Sequence, residues 1–87
     1  MKPPALLYAP PLVYPVIARE NRVTGTVVIE AVIDEHGNVT QARVISGPGL
    51  LTHAALQAVM HRRYAPTILD GEPVPIRFDV TVAFNLS

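Results

Sequence analysis

Hydrophobic residues recur at every second position along three stretches of the chain, and this period of two predicts three β-strands. The first predicted strand covers Thr26 to Asp34 and the second covers Val39 to Ser46, with turn residues at 35–38 between them. The third covers Val74 to Phe84 and alternates without error. The first two strands therefore predict a β-hairpin, and the third is reached through a longer connection.

The second predicted strand carries one irregularity. Val39 and Ala42 belong to one face but stand three residues apart rather than two. One extra residue, a bulge near Thr40 or Gln41, would restore the register.

Apolar residues at helical spacing predict two helices. The first covers Val16 to Val23 and follows Pro15, a residue tolerated at the start of a helix. The second runs from Leu50 or Leu51 to about Arg63, before Pro66 ends it. Its inner stripe is rich in alanine, which lets a helix lie close to a sheet, and consists of Leu51, Ala54, Ala55, Ala58 and Val59.

The first predicted strand is apolar on both faces, so we expect it to be central. The second strand pairs with one side of it and the third with the other, which gives the strand order 2-1-3. A right-handed split βαβ connection then places both helices on one face. The predicted fold is α+β, a three-stranded antiparallel sheet with two helices packed on one face. The predicted core is Val27, Ile29, Ile33, Val44, Leu51, Ala55, Val59, Ile76, Phe78, Val80 and Val82.

Prolines mark the expected domain boundary, because five of the nine lie in the first fifteen residues. We expect residues 1–11 to be a Pro-rich linker stub in an extended, polyproline-like conformation, and residues 12–87 to form one domain. The stretch from Met1 to Pro15 has a single lysine and is interrupted by prolines, which is not the pattern of a signal peptide. The chain also contains no apolar run of roughly 20 residues that would span a bilayer.

Composition argues against several classes of function. Seven basic and seven acidic residues give a formal net charge of zero, so we expect no binding to nucleic acid or to an anionic membrane surface. Cysteine is absent, and His53 and His61 lack a carboxylate at the spacing of a zinc site, so we expect no metal and no cofactor. No catalytic constellation is present, and the chain is predicted not to be an enzyme.

The third predicted strand is a long edge strand that could accept a peptide by strand addition. An edge strand tolerates proline where the missing N–H would have faced the free side. Pro73 and Pro75 are both odd-numbered, so the odd-numbered residues are predicted to direct their backbone groups outward. The candidate peptide-binding residues of this strand are Arg77, Asp79, Thr81 and Ala83.

An ordered series of short motifs resembles the C-terminal domain of TonB-type energy transducers. It covers roughly residues 12–86 and contains Tyr14-Pro15, Ala18, Gly25, Val27, Asp34, Gly37, Gly49, Leu51, Ala54-Ala55, Ala58, Arg63-Tyr64, Pro66, Asp70-Gly71, Pro73-Val74 and Phe84. The chain departs from the family pattern at Arg62, where tryptophan is common, and at Thr52, where aspartate is common.

The resemblance implies a periplasmic, force-transmitting domain whose parent protein is anchored in the inner membrane and driven there by motor proteins. It implies binding of the TonB box of outer-membrane transporters as an added strand on the third strand, with Tyr14 and Pro15 beside that peptide. An alternative stays open, in which the same edge serves homodimerisation or a structural or sensory role in a membrane receptor or peptidase.

Overall fold

The architecture is taken from a computed structural model, which describes residues 3–86. Two helices and seven strands follow one another along the described residues. In chain order they are β1 (Leu6–Tyr8), α1 (Val16–Glu20), β2 (Gly25–Ile33), β3 (Val39–Ser46), α2 (Gly49–Met60), β4 (Arg63–Tyr64), β5 (Thr67–Leu69), β6 (Glu72–Val74) and β7 (Ile76–Phe84).

The main sheet has the order β3-β2-β7, and both of its strand pairs are antiparallel. This confirms the predicted α+β fold and the central position of the first predicted strand. The predicted bulge is confirmed at Thr40, since Val32 pairs with Gln41 and Ile33 pairs with Val39. β2 itself runs without interruption beside β7, from Gly25 opposite Phe84 to Ile33 opposite Ile76.

The core lies between the helices and the inner face of the sheet. Eight of the eleven residues predicted to form the core are buried. For Val44, Ile76 and Phe78 the prediction was only partly right, because these residues are partly buried and pack against the margin of the core. The last residue of β7, Phe84, is only 1% exposed and has the largest fully buried side chain. Tertiary packing brings further residues into the core, namely Ala18, Ala31, Val39, Tyr64 and Phe84.

Both helices are shorter at their C-terminal ends than predicted. α1 ends at Glu20 because Arg22 adopts a left-handed backbone with φ of 53°, and the Val23 amide then bonds to the Ala18 carbonyl. α2 ends at Met60 rather than near Arg63. The residues that follow it are drawn into strand pairing instead, so tertiary contacts override the helical periodicity there.

The predicted third strand is divided into two elements. Its first residue, Val74, ends β6, which pairs with β5 in a hairpin. Asp70 and Gly71 form the turn with φ of 51° and 83°, the two positive angles that a type I′ turn requires. Pro75 separates β6 from β7, so Pro73 belongs to the hairpin and says nothing about the edge of β7.

The Pro-rich start of the chain pairs with the rest of the domain, which the sequence did not predict. β1 pairs antiparallel with β4, and the Ala65 amide bonds to the Ala5 carbonyl at 2.8 Å. All three residues of β1 are exposed, so the contact consists mainly of backbone pairing. The division into residues 1–11 and 12–87 remains a prediction, with a lead-in that contacts the domain.

β4 is held in place by the β2–β3 turn. The Tyr64 amide bonds to the Gly37 carbonyl at 2.9 Å, and a Cβ on Gly37 would lie 1.8 Å from the Tyr64 carbonyl oxygen. Only glycine fits this approach. Arg62 donates from Nη1 to the Tyr64 hydroxyl at 3.2 Å.

The β2–β3 turn is organised by the carboxylate of Asp34. Its Oδ1 accepts the backbone N–H groups of His36 and Asn38, each at 2.9 Å. These bonds favour the charged form, and the bond from Asn38 makes the largest contribution to a pKa below the ordinary value of 3.8. A lowered pKa in the folded state stabilises the domain above the unfolded pKa, and this stabilisation is lost as the pH falls through the folded value.

We therefore expect Asp34→Asn to reduce the acid sensitivity of the fold. Asparagine retains an oxygen acceptor but takes up no proton, so the variant should lose less Tm than the parent between pH 7 and pH 3. Asp79→Asn is the matched control, because its carboxylate accepts no hydrogen bond among residues 3–86. Equal acid-induced losses of Tm in the parent and Asp34→Asn would contradict this role of Asp34.

Candidate partner-binding edge

The long strand β7 lies at one edge of the main sheet. β2 covers one of its sides, and within residues 3–86 no strand pairs with the other. The residues predicted to bind a peptide on this strand all have exposed side chains and comprise Arg77, Asp79, Thr81 and Ala83. Its nine residues span roughly 30 Å, which is long for an uncovered edge.

The direction in which the N–H and C=O groups of β7 point can be inferred from the hydrogen bonds that β2 makes with β3 on its other side. Asp34 donates its N–H to the Asn38 carbonyl, and the Val32 carbonyl accepts a bond from the Thr40 hydroxyl. Even-numbered residues of β2 therefore direct their backbone groups toward β3. Because the direction alternates along an antiparallel strand, the odd-numbered residues of β2 direct theirs toward β7.

The pairing register between β2 and β7 determines which residues of β7 direct their backbone groups to the free side. Odd-numbered residues of β2 stand opposite even-numbered residues of β7, as Ile29 does opposite Val80. Two residues opposed in this way exchange both hydrogen bonds, so Val80 and Val82 bond inward. The N–H and C=O groups of the odd-numbered residues of β7 consequently point to the free side.

The two other predicted site residues lie at one end of this edge. Tyr14 packs edge-to-face on Phe84, with ring centroids 5.4 Å apart at 88°, and its hydroxyl donates to the Val23 carbonyl. Pro15 directly precedes α1. Tyr14 is thus brought beside the C-terminal end of β7. Arg77 lies near the opposite end, roughly 23 Å along the strand from Phe84.

Charged side chains on the outer face of the sheet centre on Glu30 of β2. Its Oε1 lies 2.9 Å from Nε of Arg43 on β3 and 3.9 Å from Nε of Arg77 on β7. Asp79 stands directly opposite Glu30 in the register. Exposed pairs of this kind contribute little to stability, so their main effect is on the charge that a neighbouring strand would meet.

Sequence reasoning missed a cleft at the Phe84 end of the edge. It has a volume of about 400 Å³ and is lined by Tyr14, Arg19, Arg22, Asn85 and Leu86. The Arg19 guanidinium carbon lies 5.5 Å from the centroid of the Tyr14 ring. No local pattern in the sequence placed these two arginines beside the end of β7.

Within residues 3–86 no three His, Asp or Glu side chains gather at metal-binding distance. None of the helices described is long and apolar enough to cross a membrane.

The fold and the edge define a small α+β domain in which β7 pairs with β2 on one side and, among residues 3–86, with no strand on the other. The family described as Gram-negative bacterial TonB protein C-terminal matches residues 10–86, and the chain belongs to this family. It is similar to the protein named Protein TonB of Vibrio cholerae serotype O1 (strain ATCC 39315 / El Tor Inaba N16961), with 37% identity over 75 residues, covering 84% of this chain. The match covers 31% of that relative, so the chain spans about a third of its length.

Membership confirms the resemblance seen in the sequence. The family is a periplasmic domain of a Gram-negative envelope protein associated with energy transduction and transport. It is not catalytic, which confirms the prediction that the chain is not an enzyme.

Proposed function

We propose that the domain binds the TonB box of an outer-membrane transporter as an added strand on β7 and transmits force to that transporter. The observation that carries the proposal is the free side of β7, where four successive odd-numbered residues direct backbone groups away from β2. The four are Arg77, Asp79, Thr81 and Ala83. Strand addition needs such a row of unpaired groups.

The same geometry suits a mechanical role. The backbone hydrogen bonds between a guest strand and β7 would lie side by side along the strand. A force that pulls the guest along β7 would therefore be shared among all of them. Four outward-facing residues offer eight backbone groups, an N–H and a C=O each, and each bond contributes about 0.5 to 1.5 kcal/mol net, so together they support an affinity that is roughly micromolar. Such a complex forms and dissociates readily, as repeated cycles of transport require.

The wider setting of the domain belongs to the same proposal. In the parent protein, an inner-membrane anchor would connect through the Pro-rich stub to residues 12–87, and motor proteins would act through that anchor. Tyr14 and Pro15 would lie beside the C-terminal end of β7, next to the guest strand. The packing of Tyr14 on Phe84 supports this position.

Amide hydrogen exchange with a TonB-box-like peptide tests the proposal. In the free domain, the amides of Val80 and Val82 are expected to be protected and those of Asp79 and Thr81 to exchange rapidly. Peptide at saturating concentration should protect the odd-numbered amides, because the guest carbonyls then accept their hydrogen bonds. Unchanged exchange at Asp79 and Thr81, with peptide bound elsewhere or not at all, would overturn the proposal.

The homodimer alternative uses the same amides and is separated by concentration. Self-association through β7 would protect the odd-numbered amides in the absence of peptide, to an extent that rises with protein concentration. The transducer role predicts protection that follows the peptide concentration at fixed, dilute protein.

A further inference from the structure

We infer that the cleft formed by Tyr14, Arg19, Arg22, Asn85 and Leu86 binds acidic side chains that flank the strand-forming segment of the partner peptide. This inference rests on the proposed function, because it places the flanking residues of a guest that is already paired with β7. It adds a second recognition element, based on charge, to the backbone pairing.

The position of the cleft is the first argument. Asn85 and Leu86 directly follow the last residue of β7 and line the cleft. A guest strand paired as far as Ala83 would enter the cleft by continuing about two residues, or roughly 7 Å. The end of such a guest would therefore lie close to the residues that line the cleft.

The charge of the cleft is the second argument. Arg19 and Arg22 are both exposed, and neither forms a salt bridge within the described part of the chain. Glu20, the acidic residue between them, does not line the cleft. The two guanidinium groups therefore leave the cleft with a positive charge that a partner carboxylate could neutralise.

The shape of the cleft is the third argument. The Arg19 guanidinium lies near the face of the Tyr14 ring, and Tyr14 is itself held by Phe84 and the Val23 carbonyl. Stacking on an aromatic ring limits the freedom of an arginine and reduces the entropy lost when it binds a carboxylate. Tyr14 thereby contacts both Phe84, at the end of β7, and Arg19, which would bind the acidic side chains that flank the guest strand.

Binding of peptide pairs to charge variants tests the inference. Two synthetic peptides share one apolar strand-forming segment and carry three aspartates either before it or after it, and their controls carry asparagines instead. Only one placement reaches the cleft, because a guest of fixed direction brings only one of its ends past Phe84. For that placement, Arg19→Gln and Arg22→Gln should each raise the Kd about two- to fivefold, the range of exposed ion pairs. The asparagine peptides should bind the parent and both variants equally.

Arg63→Gln is the matched control, because Arg63 is an exposed arginine of β4 and does not line the cleft. It should leave the Kd of all four peptides within error. Three results would overturn the inference: no dependence on Arg19 and Arg22 for either placement, equal dependence for both placements, or an equal effect of Arg63→Gln. In each case protection of the Asp79 and Thr81 amides by the asparagine peptides would leave the proposed function standing, and loss of that protection would show that the proposed function itself had failed.

Discussion

Phe84→Ala is expected to destabilise the domain by about 3 to 5 kcal/mol, the usual range for a large aromatic residue removed from a core. Phe84 is 1% exposed and supports Tyr14 through an edge-to-face contact. Its loss leaves a cavity between β7 and the segment that precedes α1. A domain of this size has a total stability of only about 5 to 15 kcal/mol, so thermal and denaturant unfolding should show a large drop.

Phe78→Ala provides a matched comparison within the same strand. Phe78 also makes one edge-to-face contact with a tyrosine, Tyr64, with centroids 5.4 Å apart at 89°. It is only partly buried, so its removal exposes a shallow depression that water can fill. The loss of stability should be clearly smaller than for Phe84→Ala. Equal losses, or a larger loss for Phe78→Ala, would contradict the observed position of the core.

The second large effect is expected from proline substitutions at adjacent positions of β7. Thr81→Pro removes an N–H from the free side and should abolish peptide binding while the domain stays folded. Val80→Pro removes an N–H that bonds to β2 at a buried position, 6% exposed, and should unfold the domain. Circular dichroism and peptide titration on the two variants measure fold and binding separately.

Thr81→Val serves as the control, because it changes the same side chain and retains the N–H. It should bind peptide like the parent. An unfolded Thr81→Pro together with a folded Val80→Pro would mean that the parity of β7 is reversed. Folded variants that both bind peptide would mean that β7 does not bind the partner.

The outward parity was predicted from Pro73 and Pro75, but only part of that reasoning survives in the structure. Pro73 lies in the β5–β6 hairpin, where its ring constrains a different ladder. The structure supports the same parity through Asp34 and Val32, whose backbone groups serve β3. The sequence could suggest that the direction of the backbone groups alternates along β7. Whether the odd-numbered or the even-numbered residues face the free side depends on which residues of β2 direct their backbone groups toward β7.

The three long strands, the helix α2 and the bulge at Thr40 were determined by the sequence itself. Each follows from a local periodicity of two or of 3.6 residues, which a burial pattern imposes on the residues that form it. The family motifs were also readable, because they are short residue patterns in a defined order. These features need no knowledge of what packs against them.

Only the tertiary structure decided which residues outside the main sheet and α2 come into contact with one another. The pairing of β1 with β4, the close approach of Tyr64 to Gly37, and the cleft of Arg19 and Arg22 all join residues that are distant in sequence. Their formation depends on backbone groups and charges that are neighbours only in the packed domain. Short exposed segments carry no burial pattern of their own. For that physical reason the sequence by itself determined the main sheet and α2, whereas the surface beside β7, which a partner would contact, was determined only by the packing of the domain.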